Sequence, residues 1–229
     1  MIFKTPSLLS GFIIILILSS CAVSPPKKPN DICSIFLEKR SWYKAAIKSS
    51  KRWKIPLEVN MAFILQESSY IQGAKPERTK LLGFIPWKRK SSAYGYAQAL
   101  DGTWERYKKE AKKTFAYRRN FDDSIDFIAW YNNLSHKKIG IPRDNARLLY
   151  LAYHEGQGGY KKGSYRNKPW LTDVATTVQN NANRYKSQFN SCKNKLRNPF
   201  YYLFKKVWNK IIFSYDCLLY TSDAADERG

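Results

Sequence analysis

Histidine is almost missing from this chain, with two in 229 residues. Neither sits in a histidine cluster, and none of the four cysteines belongs to a CxxC pair. The donor sets that hold zinc are therefore absent, and neither metal nor cofactor is expected. Acidic residues are scarce beside basic ones, 18 against 40, which leaves a formal charge of +22. Such an excess calls for an anionic partner. No nucleic-acid-binding motif accompanies it, so DNA and RNA are not the expected partners. There is no internal repeat, no confident strand, and low complexity only in residues 23–30. The apolar stretch over residues 8–18 is too short for a comfortable transmembrane helix.

What the N-terminus does contain is a processing signal. Lys4, the apolar stretch and Leu18-Ser19-Ser20-Cys21 have the layout of a lipoprotein signal, so residues 1–20 are expected to be removed and Cys21 lipidated. An ordinary signal peptide with an incidental cysteine is the other reading. Residues 21–31, with Pro25, Pro26 and Pro29, read as an extended tether. Ala22 after the cysteine resembles the pattern of outer-membrane lipoproteins that face the periplasm. Residues 216–229 look like the translation of a sequencing-adaptor end rather than native protein. Removing them deletes four acids and one arginine, and +22 becomes +25.

Between these ends, residues 32–192 are enough for one domain with a real core. Cys33 and Cys192 stand at its two ends, where an oxidising compartment allows a disulfide; two free thiols are the alternative. Most of the domain reads as helix. Expected helices run over 41–54, from Pro56 through Ser68, from Asp101 to about 113, and from Asp122 or Asp123 to about 134. Two more should open at Pro142, ending by Gly156, and at Pro169. In the last, Leu171, Val174, Val178, Ala182, Tyr185 and Phe189 step by three and four. Residues 72–92 form a long irregular loop in which a short ribbon can be accommodated, and its apolar 81–87 should pack beside a site. Residues 193–215 interleave aromatics with lysines, which fits a membrane surface or a closing element packed on the domain.

Glu67 ends the apolar run 61–69, which carries no other charge. Leu57, Met61, Ile64 and Leu65 should face a core, and Asn60, Phe63 and Glu67 form a neighbouring stripe. A carboxylate at that edge is partly desolvated, which favours the protonated form and makes it a candidate proton donor. An exposed glutamate at a helix end is the bland alternative, and the segment alone leaves both open.

Three ordered segments narrow the choice: Glu67-Ser68-Ser69, Gly95-Tyr96-Ala97-Gln98, and Ala152-Tyr153-His154-Glu155-Gly156. Together they resemble the soluble lytic transglycosylase domain, related to goose-type lysozyme, across residues 41–189. The resemblance implies a mainly α, lysozyme-like helical domain with the irregular loop beside the cleft. It implies that Glu67 is the catalytic acid in cleavage of the β-1,4 bond between N-acetylmuramic acid and N-acetylglucosamine, leaving a 1,6-anhydro product. By the same match Ser68, Gly95, Tyr96, Gln98, Tyr153, His154 and Glu155 are candidate substrate-binding residues. For Tyr153 a packed core tyrosine stays open, and for Glu155 a solvated helix-end carboxylate. The implied partners are peptidoglycan glycan strands and, through a lipid anchor, the membrane; a monomer is expected.

The chain departs from the family pattern. Ala97 stands for methionine, which removes one apolar sugar contact, and His154 and Glu155 stand for Asn and Ala. A Glu155 facing the cleft could activate water and turn the enzyme into a hydrolytic muramidase. A non-catalytic peptidoglycan-binding lipoprotein is the alternative outside enzymes, kept open by the basic surface.

Overall fold

A computed structural model describes residues 23–81, 85–89 and 91–198, without the side chains of residues 80, 81 and 85–88. The expected signal segment, Cys21, the packing of the apolar 81–87 side chains, and everything after Asn198 lie outside the described residues. Seven α-helices carry the described chain: α1 Ile32–Glu38, α2 Arg40–Trp53, α3 Leu57–Ser68, α4 Asp101–Glu110, α5 Phe121–Ile139, α6 Ala146–Lys162 and α7 Pro169–Arg197. A 3-10 turn, Ser164–Asn167, joins α6 to α7. The domain is mainly α and lysozyme-like in class, as expected.

Helix α5 is the hub. Phe121, Ser124 and all of residues 125–133 are buried on it, a pattern that only a helix surrounded by others can carry. Helices α2, α3, α4 and α6 pack around it, and the long α7 lies across α1, α3 and α6. The ring of Trp42 on α2 stacks flat on Phe121 at 3.9 Å between centroids. Asp126 is the main charge inside. It accepts from Arg52 at 3.0 Å, Trp53 at 2.9 Å and Tyr107 at 2.9 Å, which ties α2 and α4 to the hub and satisfies a carboxylate that burial would otherwise penalise.

The irregular stretch holds an antiparallel ribbon, β1 Arg78–Leu81 and β2 Ile85–Arg89, paired Leu81 to Ile85 and Lys80 to Pro86, with an irregularity before Arg78 meets Arg89. Cys33 on α1 is bonded to Cys192 on α7, so the two ends of the domain are covalently closed.

Several helix boundaries differ from expectation for identifiable reasons. Helix α4 begins at Asp101 with no side-chain cap, because Asp101 pairs instead with Arg118 at 2.7 Å. The cap of α5 is Asn120, whose side chain accepts from Asp123; neither aspartate caps. Helix α6 opens at Ala146 under Asn145 rather than at Pro142, and it continues past Gly156 through a kink. The helix α1 was not anticipated at all; its cap Asp31 accepts from the amides of Cys33 and Ser34.

Residues 23–31, expected as a tether, do not stand away from the domain. Lys27 donates its amide to Glu38, Pro29 accepts from Tyr185, and the Asn30 carbonyl accepts from Arg184 and Gln188. Prolines keep the strap extended and unable to pair with itself, so its backbone carbonyls find side chains of α7 instead.

Candidate active site

Helix α3 delivers Glu67 in its last turn. Pro56 precedes the helix at φ −55, Glu58 complements its positive end, and Ser69 closes it in the left-handed region at φ 49. The helix is buried more fully than a single stripe predicts, since Val59, Asn60, Ala62 and Phe63 join Leu57, Met61 and Ile64 inside. Glu67, half-buried, emerges where α3 leaves this core.

Its surroundings are aromatic. Phe63 meets Tyr150 and Tyr153 edge-on, each at 5.4 Å between centroids. Tyr131 closes on Tyr153 at 5.1 Å. Burial among these rings raises the Glu67 carboxyl from 4.5 to about 7, against a smaller lowering by the hydrogen bond that Tyr150 donates to it. The carbonyl end of α3, a partial negative charge, works in the same direction as burial. Tyr150 and Tyr153 are themselves held neutral, first by burial and then by the neighbouring Glu67 charge. Burial and aromatic packing thus leave this carboxyl protonated in a substantial fraction of molecules at neutral pH, where an ordinary glutamate is ionised.

Two adjoining hollows lie on this side of the domain, and the carboxyl lines one of them. One, of about 400 Å³, is lined by Glu67, Ser91, Ala93, Gln98, Leu100, Tyr153 and His154. The other, of about 260 Å³, shares Gln98, Leu100, Tyr153 and His154 and extends to Thr103, Phe127, Tyr131, Glu155 and Gly156. The three segments singled out in the sequence therefore converge on a single cleft.

Residues 94–99 form its second wall. Gly95 adopts φ +77, and a Cβ there would stand 2.0 Å from the Arg118 carbonyl oxygen, so only glycine fits. Gly95 does not touch the cleft. It lets the chain turn so that Gln98, itself at φ 46, reaches the site. The Gln98 Nε2 donates to the carbonyls of Ala74, at 2.9 Å, and Gly95, at 2.8 Å. Both partners are acceptors, so the amide orientation is fixed, and Oε1 is left as the acceptor that this cleft-lining side chain can offer. Ala97 is buried, and its carbonyl accepts from the Tyr153 hydroxyl at 2.6 Å, which locks this wall to α6.

Besides Gly95, two more expected substrate contacts are corrected by this geometry. Tyr96 is 1% exposed, wedged edge-on against Trp42 and Phe121, and serves as the core anchor of its loop. Ser68 is buried and donates to the Ile64 carbonyl of its own helix at 3.1 Å. Neither lines the cleft. Tyr153 lines the cleft but does not hold the acid, because its hydroxyl is spent on Ala97. The residue that does, Tyr150, was not anticipated. It lies three positions before Tyr153 on the same helical face, and that spacing was the available signal.

Glu155 lies at the border of the second hollow but is engaged elsewhere. Its side chain is 4% exposed and pairs with Lys168 at 2.7 Å. It also accepts from Ser164 and meets His154 Nδ1 at 3.0 Å. The Lys168 and Ser164 hydrogen bonds bring its pKa down to about 2. Glu155 is a strut between the kink of α6 and the start of α7, ionised and weakly basic. Gly156 makes the kink at φ 73, ψ 158, where a Cβ would meet nothing within 4 Å, so conformation rather than space demands glycine. His154, expected to bind substrate, lines both hollows, and the exposed Trp170 packs edge-on against it at 5.2 Å.

No curated protein and no solved structure matches the chain. The profile of the transglycosylase SLT domain matches residues 9–192. With an acid raised to neutrality in a cleft built from three convergent segments, and a profile covering most of its length, the chain belongs to the transglycosylase SLT domain family, whose type of activity is on peptidoglycan.

Proposed function

We propose that this protein is a lytic transglycosylase that cleaves the β-1,4 bond from N-acetylmuramic acid to N-acetylglucosamine and leaves 1,6-anhydromuramoyl ends. The observation that carries the reading is the Glu67 carboxyl, brought to about 7 by burial in the cleft. A proton held there at neutral pH can pass to the glycosidic oxygen as its bond to the muramoyl C1 breaks. The acetamido oxygen of the same sugar closes on C1, so no enzyme nucleophile is required. The muramoyl 6-hydroxyl then attacks C1, reopens the acetamido ring and returns its proton to Glu67. One carboxyl serves as acid and then as base, and a pKa near the working pH suits both steps.

Tyr150 orients the carboxyl through its hydrogen bond. Gln98 Oε1 and the His154 and Trp170 rim are available to the sugar amides and ring faces. A hydrolytic muramidase would need a second carboxylate as base. Glu155, paired with Lys168 and brought down to about 2, is poorly suited to take a proton from water.

The proposal includes attachment through a lipid on Cys21, placement at the outer membrane facing the periplasm, and action as a monomer. Supporting it are the Leu18-Ser19-Ser20-Cys21 sequence and the cell-wall substrate of the family.

The test is digestion of purified sacculi with wild type and Glu67→Gln, with fragments identified by mass spectrometry. Anhydromuramoyl ends from wild type and none from the variant are expected. Reducing muramoyl ends from wild type would replace the reading by hydrolysis. An absence of fragments from both proteins would favour a non-catalytic binding lipoprotein.

A further inference from the structure

We infer that the turn between α4 and α5, residues 111–120, is a face that rests on an anionic lipid surface. Its two aromatic side chains, Phe115 at 89% and Tyr117 at 72% exposed, are the most exposed large apolar groups among the described residues. A single exposed aromatic is ordinary, but these two project from a braced turn. Ala116 between them is buried, the Tyr117 amide donates to Asp123 at 3.1 Å, and Arg118 is clamped to Asp101 and to the carbonyls of Ser92 and Ala99.

The surrounding charge is complementary to lipid phosphate. Residues 108–119 contain six basic side chains and one acid, Glu110, with Lys109, Lys112 and Arg119 exposed around the tip. Some of the charge is already spent, since Lys113 pairs with Asp123 and Lys108 with Glu105, while Asp122 faces solvent nearby. Aromatic rings at the tip with cations behind them suit an interface whose outer layer is anionic and whose interior is apolar.

The path of the chain points the same way. The Val23 amide donates to Gln72 Oε1 at 3.1 Å, and Gln72 Nε2 donates to the Arg119 carbonyl at 3.1 Å. The strap therefore begins beside the end of this turn, and its contacts with Glu38, Arg184, Tyr185 and Gln188 keep the domain from swinging about it. Cys21 precedes Val23 by two residues, so chain length alone limits its Cα to about 7 Å from that of Val23. Orientation by the strap rests on lipidation of Cys21; the charge and the aromatics do not.

The full chain is placed in nanodiscs of phosphatidylcholine alone or with phosphatidylglycerol, and hydrogen exchange is followed by mass spectrometry. Intact mass of the same sample reports lipidation separately. Amides of residues 111–119 are expected to exchange about tenfold more slowly on the anionic discs, an advantage lost at high salt or in the Phe115→Ala/Tyr117→Ala variant. That variant should cleave soluble glycan fragments at the wild-type rate, which separates docking from catalysis. Equal exchange on both discs would overturn the inference. So would protection by soluble glycan fragments in place of lipid, which would make this a polymer-binding face.

Discussion

Replacing Glu67 by Gln should inactivate the protein and stabilise it, by an amount that depends on pH. A carboxyl at 4.5 in the unfolded chain and about 7 in the folded one binds more protons when folded. Between those values stability falls as pH rises, because the native state must either keep the proton or bury a charge. That rise from 4.5 to about 7 corresponds to about 3 kcal/mol once the group is fully ionised, an upper figure because one side of the carboxyl opens to the cleft. Gln has the shape of the protonated acid and can still accept from Tyr150, but it carries no such penalty. Wild type and variant should match near pH 4.5 and diverge up to pH 8, where the variant gains about 6–12 °C in Tm for a domain of this length. Urea unfolding with the disulfide intact, repeated across this pH range, measures the difference directly. A difference that does not change with pH, or a variant less stable than wild type at pH 8, would refute the account of a desolvated acid. The activity loss should be about a thousandfold in kcat, as for removal of a general acid.

Other perturbations probe the parts around that acid. Tyr150→Phe removes the one hydrogen bond that lowers the Glu67 pKa, so the alkaline limb of the kcat/KM profile should move to higher pH; an unmoved limb would show that Tyr150 only packs. Gly95→Ala drives a Cβ into the Arg118 carbonyl at positive φ and should cost about 2–4 kcal/mol in unfolding free energy, with loss of activity as Gln98 is displaced. Glu155→Gln should keep anhydromuramoyl products while lowering Tm at neutral pH. Its wild-type carboxyl lies below the usual range at about 2, so that contribution is present above 4.5 and fades as pH falls toward 2, and the variant's deficit should shrink in acid. Loss of products with an unchanged Tm would instead put Glu155 in the chemistry.

Much of the fold was legible because its signals are local. The α7 stripe of Leu171, Val178, Ala182 and Tyr185 is buried as its spacing implies, and Pro169 opens that helix. The boundaries went astray where a side chain had two possible employers. Asp101 could cap α4 but pairs with Arg118 across the fold, and no spacing along the chain announces that partner. The strap over residues 23–31 looked like a spacer because its composition is proline-rich and polar; its partners on α7 lie more than 150 residues away.

The sequence by itself determined a mainly α domain and the order of the three motifs, since helical periodicity and motif spacing are one-dimensional properties, and through its family resemblance it put Glu67 forward as the candidate acid. It also carried the two cysteines at the domain ends. The tertiary structure alone decided which motif residues line the cleft. Tyr96 and Gln98 are two positions apart, yet a turn licensed by Gly95 sends one into the core and the other to the cleft. Glu67 and Glu155 are both motif carboxylates, and nothing in their neighbours along the chain separates them. Their environments do: aromatic rings raise one to about 7, and Lys168 with Ser164 pulls the other to about 2. A carboxyl becomes an acid or a strut according to what packs against it, and packing is settled only when distant segments come together.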